Sequence, residues 1–68
     1  MKENISKRIY ELRTEKCLSQ QKLALAIGAT QKAIDFWEKG TNEPKATYII
    51  NLATYFGVTT DYLLGLED

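Results

Sequence analysis

The side chains able to do chemistry in this chain are hydrogen-bonding and charged groups, not a catalytic set. There is no histidine, so no imidazole can serve as base or metal ligand. Cys17 is the only cysteine, which rules out an internal disulfide and a zinc site of the usual thiolate type. Glu11, Glu15 and Glu43 stand alone on polar stretches and read as solvated charge. No glycine-rich stretch has the spacing of a phosphate cradle. An enzyme is therefore the weakest reading, and no cofactor is expected. What stands out is a polar set, Gln31, Lys32 and Asp35, interleaved with the apolar Ile34 and Trp37. That spacing turns Gln31, Lys32 and Asp35 outward on a helix whose other side is anchored.

Those side chains need a scaffold. Ile5, Ile9 and Leu12 recur at i, i+4 and i+7 and mark an amphipathic helix over roughly residues 3–16. Ser19 can cap a second helix carrying Leu23, Ala24 and Ile27, with Gly28 to stop it. Thr30 can cap a third helix, ended by Gly40. Lys39 to Lys45, with Gly40, Asn42 and Pro44, reads as a loop. Ala46, Ile49, Leu52, Ala53 and Phe56 mark a fourth helix closed by Gly57. Thr59 caps a short fifth, where Asp61 suits the positive helix end. No segment alternates with a period of two. The expected fold is all-α: five short helices in one domain spanning 1–68.

Length and charge bound the function further. A 68-residue chain buries only about 60% of its unfolded surface, so its core is thin and caps matter. The apolar fraction of 44% is ordinary for a folded domain. Net charge is zero, but residues 1–45 hold all nine Lys and Arg against six acids, while residues 46–68 hold three acids and no base. A local basic patch is enough to meet phosphates, although in a chain this small the split can also arise by accident. No apolar run approaches the roughly 18 residues that span a bilayer, and nothing at the start reads as a signal peptide. The expectation is no membrane partner and a reducing, cytoplasmic location.

The segment from Gln20 to Lys39 joins two short helices through Gly28-Ala29-Thr30. So short a turn forces a steep crossing, as in a helix-turn-helix. Ala24 gives the small residue needed where the helices touch, Gly28 tolerates positive φ, and Ile34 and Trp37 anchor the third helix. Leu18-Ser19-Gln20, Leu23-Ala24, Gly28, Ile34, Trp37-Glu38, Gly40, Pro44, Leu52-Ala53 and Gly57-Val58 together resemble the lambda-repressor-like, Cro/C1-type helix-turn-helix family. The resemblance runs from about Ile9 to Leu64.

The resemblance implies double-stranded DNA as the partner, with the third helix in the major groove. Carried onto this chain, Thr30, Gln31, Lys32, Asp35 and Phe36 face base edges. Gln31 can pair bidentately with adenine, and Lys32 can donate to guanine. Asp35 can accept from a cytosine amine or simply disfavour wrong sequences. Phe36 stands where a polar or basic residue is common. It can pack on a thymine methyl, cover the neighbouring helix, or meet a protein. Ser19, Gln20, Lys39, Thr41, Asn42 and Lys45 fall where the family contacts phosphates. Lys45 stands where relatives often have a capping Ser or Asp. Cys17 sits at a helix end where Gly is frequent, with packing at the corner of helices 1 and 2 as its expected role and a redox sensor as an alternative that nothing else in the sequence supports. Arg13 and Glu38 match a pair that forms a salt bridge in relatives.

The resulting expectation is a transcriptional regulator, a repressor of phage or mobile-element type, binding a pseudo-palindromic operator as a homodimer. Tyr62, Leu63, Leu64 and Leu66 can build that dimer or close the monomer's own core. The alternative is a protein-interaction module, antitoxin-like or an anti-repressor partner, on the same fold. Zero net charge, Asp35 and Phe36 favour the alternative; Gln31, Lys32 and the basic loop oppose it.

Overall fold

The computed structural model describes residues 2–67. They form α1 (Lys2–Glu15), α2 (Gln20–Ile27), α3 (Gln31–Lys39), α4 (Ala46–Phe56) and α5 (Thr60–Leu63), and no strand occurs among the described residues. Each helix gives its apolar stripe to one core. Ile5, Ile9 and Leu12 come from α1; Leu23, Ala24 and Ile27 from α2; Ile34 and Trp37 from α3; Leu52, Ala53 and Phe56 from α4; Leu63 from α5. α1 and α2 both pack on α3, α4 backs α2, and α5 closes against α4 and α1. The helix that carries Gln31 and Lys32 is thus gripped by two others.

The starts of the helices are set by short side chains. Ser19 Oγ accepts from the Lys22 N–H at 3.0 Å, Thr30 Oγ1 from Ala33 at 3.1 Å, and Thr59 Oγ1 from Tyr62 at 3.0 Å. Each removes one of the donors a helix start leaves unpaired. α4 differs: Lys45 holds the cap position and supplies no side-chain bond.

The ends share one device. After each helix the chain folds back so that an N–H bonds to a carbonyl five residues earlier. The pairs are Leu18 to Arg13, Ala29 to Ala24, Thr41 to Phe36, Val58 to Ala53 and Leu66 to Asp61. This closure needs a left-handed residue just before the donor. Glycine fills that place at positions 28, 40, 57 and 65, and Cys17, at φ 56°, fills it after α1. Cys17 is exposed, so the expected packing at the α1–α2 corner does not occur. Its place is fixed by backbone geometry instead, because the neighbour that turns inward is Leu18.

The two possible roles of the C-terminal leucines separate. Leu63 is fully buried and completes the core, with Tyr62 and Leu64 packed partly against it. Leu66 alone stays open, at 65% exposure. The Arg8 guanidinium lies 4.0 Å over the Tyr62 ring, tying α1 to α5. Gly65 sits so close to α1 that a Cβ there would fall 2.6 Å from the Cβ of Asn4.

Candidate nucleic-acid interface

α3 has two different sides. Ile34 and Trp37, spaced by three, are buried. Trp37 is covered from α4 by the Tyr48 ring, 5.2 Å away between centroids. The opposite side carries Gln31 and Lys32, both exposed, then Asp35 and Phe36, both half-buried, and Lys39. Gln31, Lys32 and Asp35 line one shallow depression together with Gln20 of α2. The Lys32 ammonium reaches back over the Phe36 ring at 5.7 Å. Phe36 is therefore neither free surface nor part of the central core.

The orientation of α3 is held by a connected set of polar groups. Arg13 donates from Nε to Glu38 Oε2 at 2.6 Å and from Nη2 to Oε1 at 2.9 Å. Its Nη1 donates to the Leu18 carbonyl at 2.8 Å. The fork of the guanidinium matches the carboxylate, and both side chains are nearly out of water, at 13% and 6% exposure. The hydrogen bonds to Glu38 raise the Arg13 pKa, and partial burial opposes that shift.

Gln20, at the first position of α2, extends the set. Its Nε2 donates to Glu38 Oε1 at 3.1 Å and to Asp35 Oδ1 at 3.3 Å. Asp35 Oδ2 in turn takes the Lys39 ammonium at 2.9 Å, one helical turn on. Lys39 first and Gln20 second hold the Asp35 carboxyl below its ordinary pKa. An acid on the outward side of α3 is thus balanced by a base on the same helix. Two side chains expected at phosphates, Gln20 and Lys39, have partners inside the protein.

The other expected phosphate contacts lie at the periphery. Ser19 is exposed at the start of α2, where the first-turn N–H groups of Gln20 and Gln21 have no earlier carbonyl to bond. Thr41, Asn42 and Lys45 are exposed on the loop between α3 and α4. With Lys45 at the α4 start, that helix offers its first N–H groups without a capping side chain.

Some contacts that shape the site have no signal in the spacing of the sequence. Asn51 of α4 donates from Nδ2 to the Ile27 carbonyl at 3.3 Å, closing the end of α2 beside the turn. Gln20 is another: its identity fits a solvated helix start as well as it fits a bridge to Asp35 and Glu38. Only an acid at each of two positions on the adjoining helix distinguishes these uses.

Comparison with known proteins agrees with this architecture. A helix-turn-helix family model matches residues 9–63. The chain is 36% identical over 62 residues to the uncharacterized HTH-type transcriptional regulator YqaE of Bacillus subtilis (strain 168), covering 91% of this chain and 53% of that protein. It is 38% identical over 53 residues to the cryptic phage CTXphi transcriptional repressor RstR of Vibrio cholerae, covering 78% of this chain and 48% of that protein. The chain therefore spans about half the length of these relatives. The fold is similar to that of the P22 c2 repressor, solved in complex with a synthetic operator. The TM-score is 0.83 at 27% identity, over 87% of this chain and 89% of that one. The match across most of the chain, with α2 and α3 joined by the tight Gly28 turn, places this protein in the Cro/C1-type helix-turn-helix family.

Proposed function

We propose that this chain is the DNA-binding unit of a sequence-specific transcriptional regulator, a repressor of phage or mobile-element type. The observation that carries the reading is the placement of Gln31 and Lys32. They stand exposed, side by side, at the start of a helix whose inner side is locked by Ile34 and Trp37. A helix presented this way enters a major groove with its first turn at the base edges. There Gln31 offers the donor and acceptor pair that adenine requires, and Lys32 a donor for guanine O6 or N7. Thr30, Asp35 and Phe36 flank them. Ser19 with the free N–H groups of α2, and Thr41, Asn42 and Lys45 on the far side, would grip the phosphates. The similarity to RstR and to an operator-bound repressor supports the same use.

The homodimer on a pseudo-palindromic operator belongs to this proposal. Two copies would place their recognition helices about one turn of DNA apart, ~34 Å. Leu66 is the one C-terminal leucine left exposed for a second copy.

The test is joint replacement of Gln31 and Lys32 by Ala, with binding measured on an operator and on unrelated DNA. Loss of the preference for operator supports the reading. Unchanged affinity and preference would overturn it and favour the protein-interaction alternative.

A further inference from the structure

Asp35 is the acid on the outward side of α3, and both of its oxygens are occupied by groups that would otherwise suit a phosphate. Oδ2 holds the Lys39 ammonium at 2.9 Å, and Oδ1 accepts from Gln20 Nε2 at 3.3 Å. Gln20 is itself fixed from behind by Glu38 at 3.1 Å, and Glu38 by Arg13. An exposed lysine–carboxylate pair taken alone is a weak restraint. Here the carboxylate is fixed on its other oxygen, and the lysine is one turn away on the same helix.

We propose that Asp35 is a specificity-determining residue that neutralises Lys39 and occupies the Gln20 amide on the outward side of α3, and so limits sequence-independent binding. This rests on the DNA-binding reading above. Phosphate contacts attract every sequence alike, whereas base contacts discriminate. While Lys39 stays paired with Asp35, the carboxylate cancels its charge, so a phosphate that meets the ammonium gains no net cation. Lys39 thus adds little to binding of random DNA, and the discrimination falls to Gln31 and Lys32, which have no such acid partner among the described residues. A chain of zero net charge that binds DNA gains selectivity by this restraint, because nonspecific attraction scales with the phosphates neutralised.

The experiment compares wild type, D35N, D35E and the double variant D35N/K39Q on a random-sequence duplex, by fluorescence anisotropy across a salt series. Asn keeps an oxygen for Gln20 while removing the charge. Each phosphate newly neutralised steepens the plot of log affinity against log salt by about 0.9. D35N is therefore expected to steepen the slope by about that amount and to bind random DNA about fivefold tighter near physiological salt. D35E should keep the wild-type slope, and D35N/K39Q should lose the gain. Binding with the same slope in wild type and D35N would overturn the restraint alone. A gain that persists in D35N/K39Q would also overturn it, since Asp35 would then act by repulsion and not through Lys39. No binding by any variant, even at low salt, would overturn the DNA-binding reading and the restraint with it.

Discussion

Arg13 and Glu38, 25 residues apart in the chain, meet through two parallel hydrogen bonds of 2.6 and 2.9 Å that join α1 to the last turn of α3. Removing one partner leaves the other charge nearly dry and unpaired. Glu38→Ala also takes the second acceptor from Gln20. We expect a loss of about 3 kcal/mol in urea denaturation, with weaker DNA binding. A pair of apolar replacements, Arg13→Met with Glu38→Leu, should be more stable than either single change, because no charge is stranded. If Glu38→Ala unfolds at the same urea concentration as wild type, the pair does not hold α3.

Leu63 lies on a helix of only four residues, yet it is fully buried. Leu63→Ala should cost about 2–4 kcal/mol, the usual range for a lost core leucine. That cost should be independent of protein concentration, since the contact lies within one chain. Leu66→Ser should change monomer stability by less than about 0.5 kcal/mol. A large cost for Leu66→Ser in the monomer would mean that Leu66 packs within the chain, and a concentration-dependent cost for Leu63→Ala would mean that Leu63 packs against a second copy.

Cys17 is the one non-glycine residue at a place where four other helix ends use glycine. A side chain in the left-handed region costs roughly 1–2 kcal/mol, and glycine returns part of that through its freer unfolded state. Cys17→Gly should stabilise the fold by about 0.5 kcal/mol, seen as a rise of roughly 2–4 °C in melting temperature. A lower melting temperature would show that the thiol has contacts that outweigh the strain.

Asp35 sets a pH dependence of known sign. Its carboxyl is held below the ordinary value by Lys39 first and Gln20 second. A group whose folded pKa is lowered stabilises the fold fully above the ordinary aspartate range near 3.9 and loses that contribution as pH falls through the folded value. Carbon-detected NMR of the Asp35 carboxyl should give a midpoint below that of a free aspartate. In Lys39→Gln the midpoint should rise towards it. An unchanged midpoint in Lys39→Gln would mean that the ion pair does not form in solution.

Much of this architecture is legible in the residues themselves. Ile5, Ile9 and Leu12 repeat at helical spacing and are all buried. Ser19, Thr30 and Thr59 are short hydroxyl residues just before apolar stripes, and each makes the cap bond. Gly28, Gly40 and Gly57 stop the helices that they follow. These features depend on neighbours within one turn, so a local reading reaches them. Gln20 and Asn51 are different. Their partners lie on other helices, and a polar residue at a helix surface carries no mark of which way it bonds. The fate of Leu63 against Leu66 depends likewise on how α5 docks, because both are leucines near the same end. Cys17 misleads for a related reason: a small apolar side chain suggests packing, while the backbone demands a turn.

α3 is the helix proposed to read base sequence. The most direct measurement is selection of bound DNA from a random duplex library at near-physiological salt, followed by sequencing. An inverted repeat should be enriched, and the enrichment should be lost when Gln31 and Lys32 are both replaced by Ala. Enrichment of nothing, with weak binding that collapses as salt rises, would leave only phosphate attraction and contradict that role.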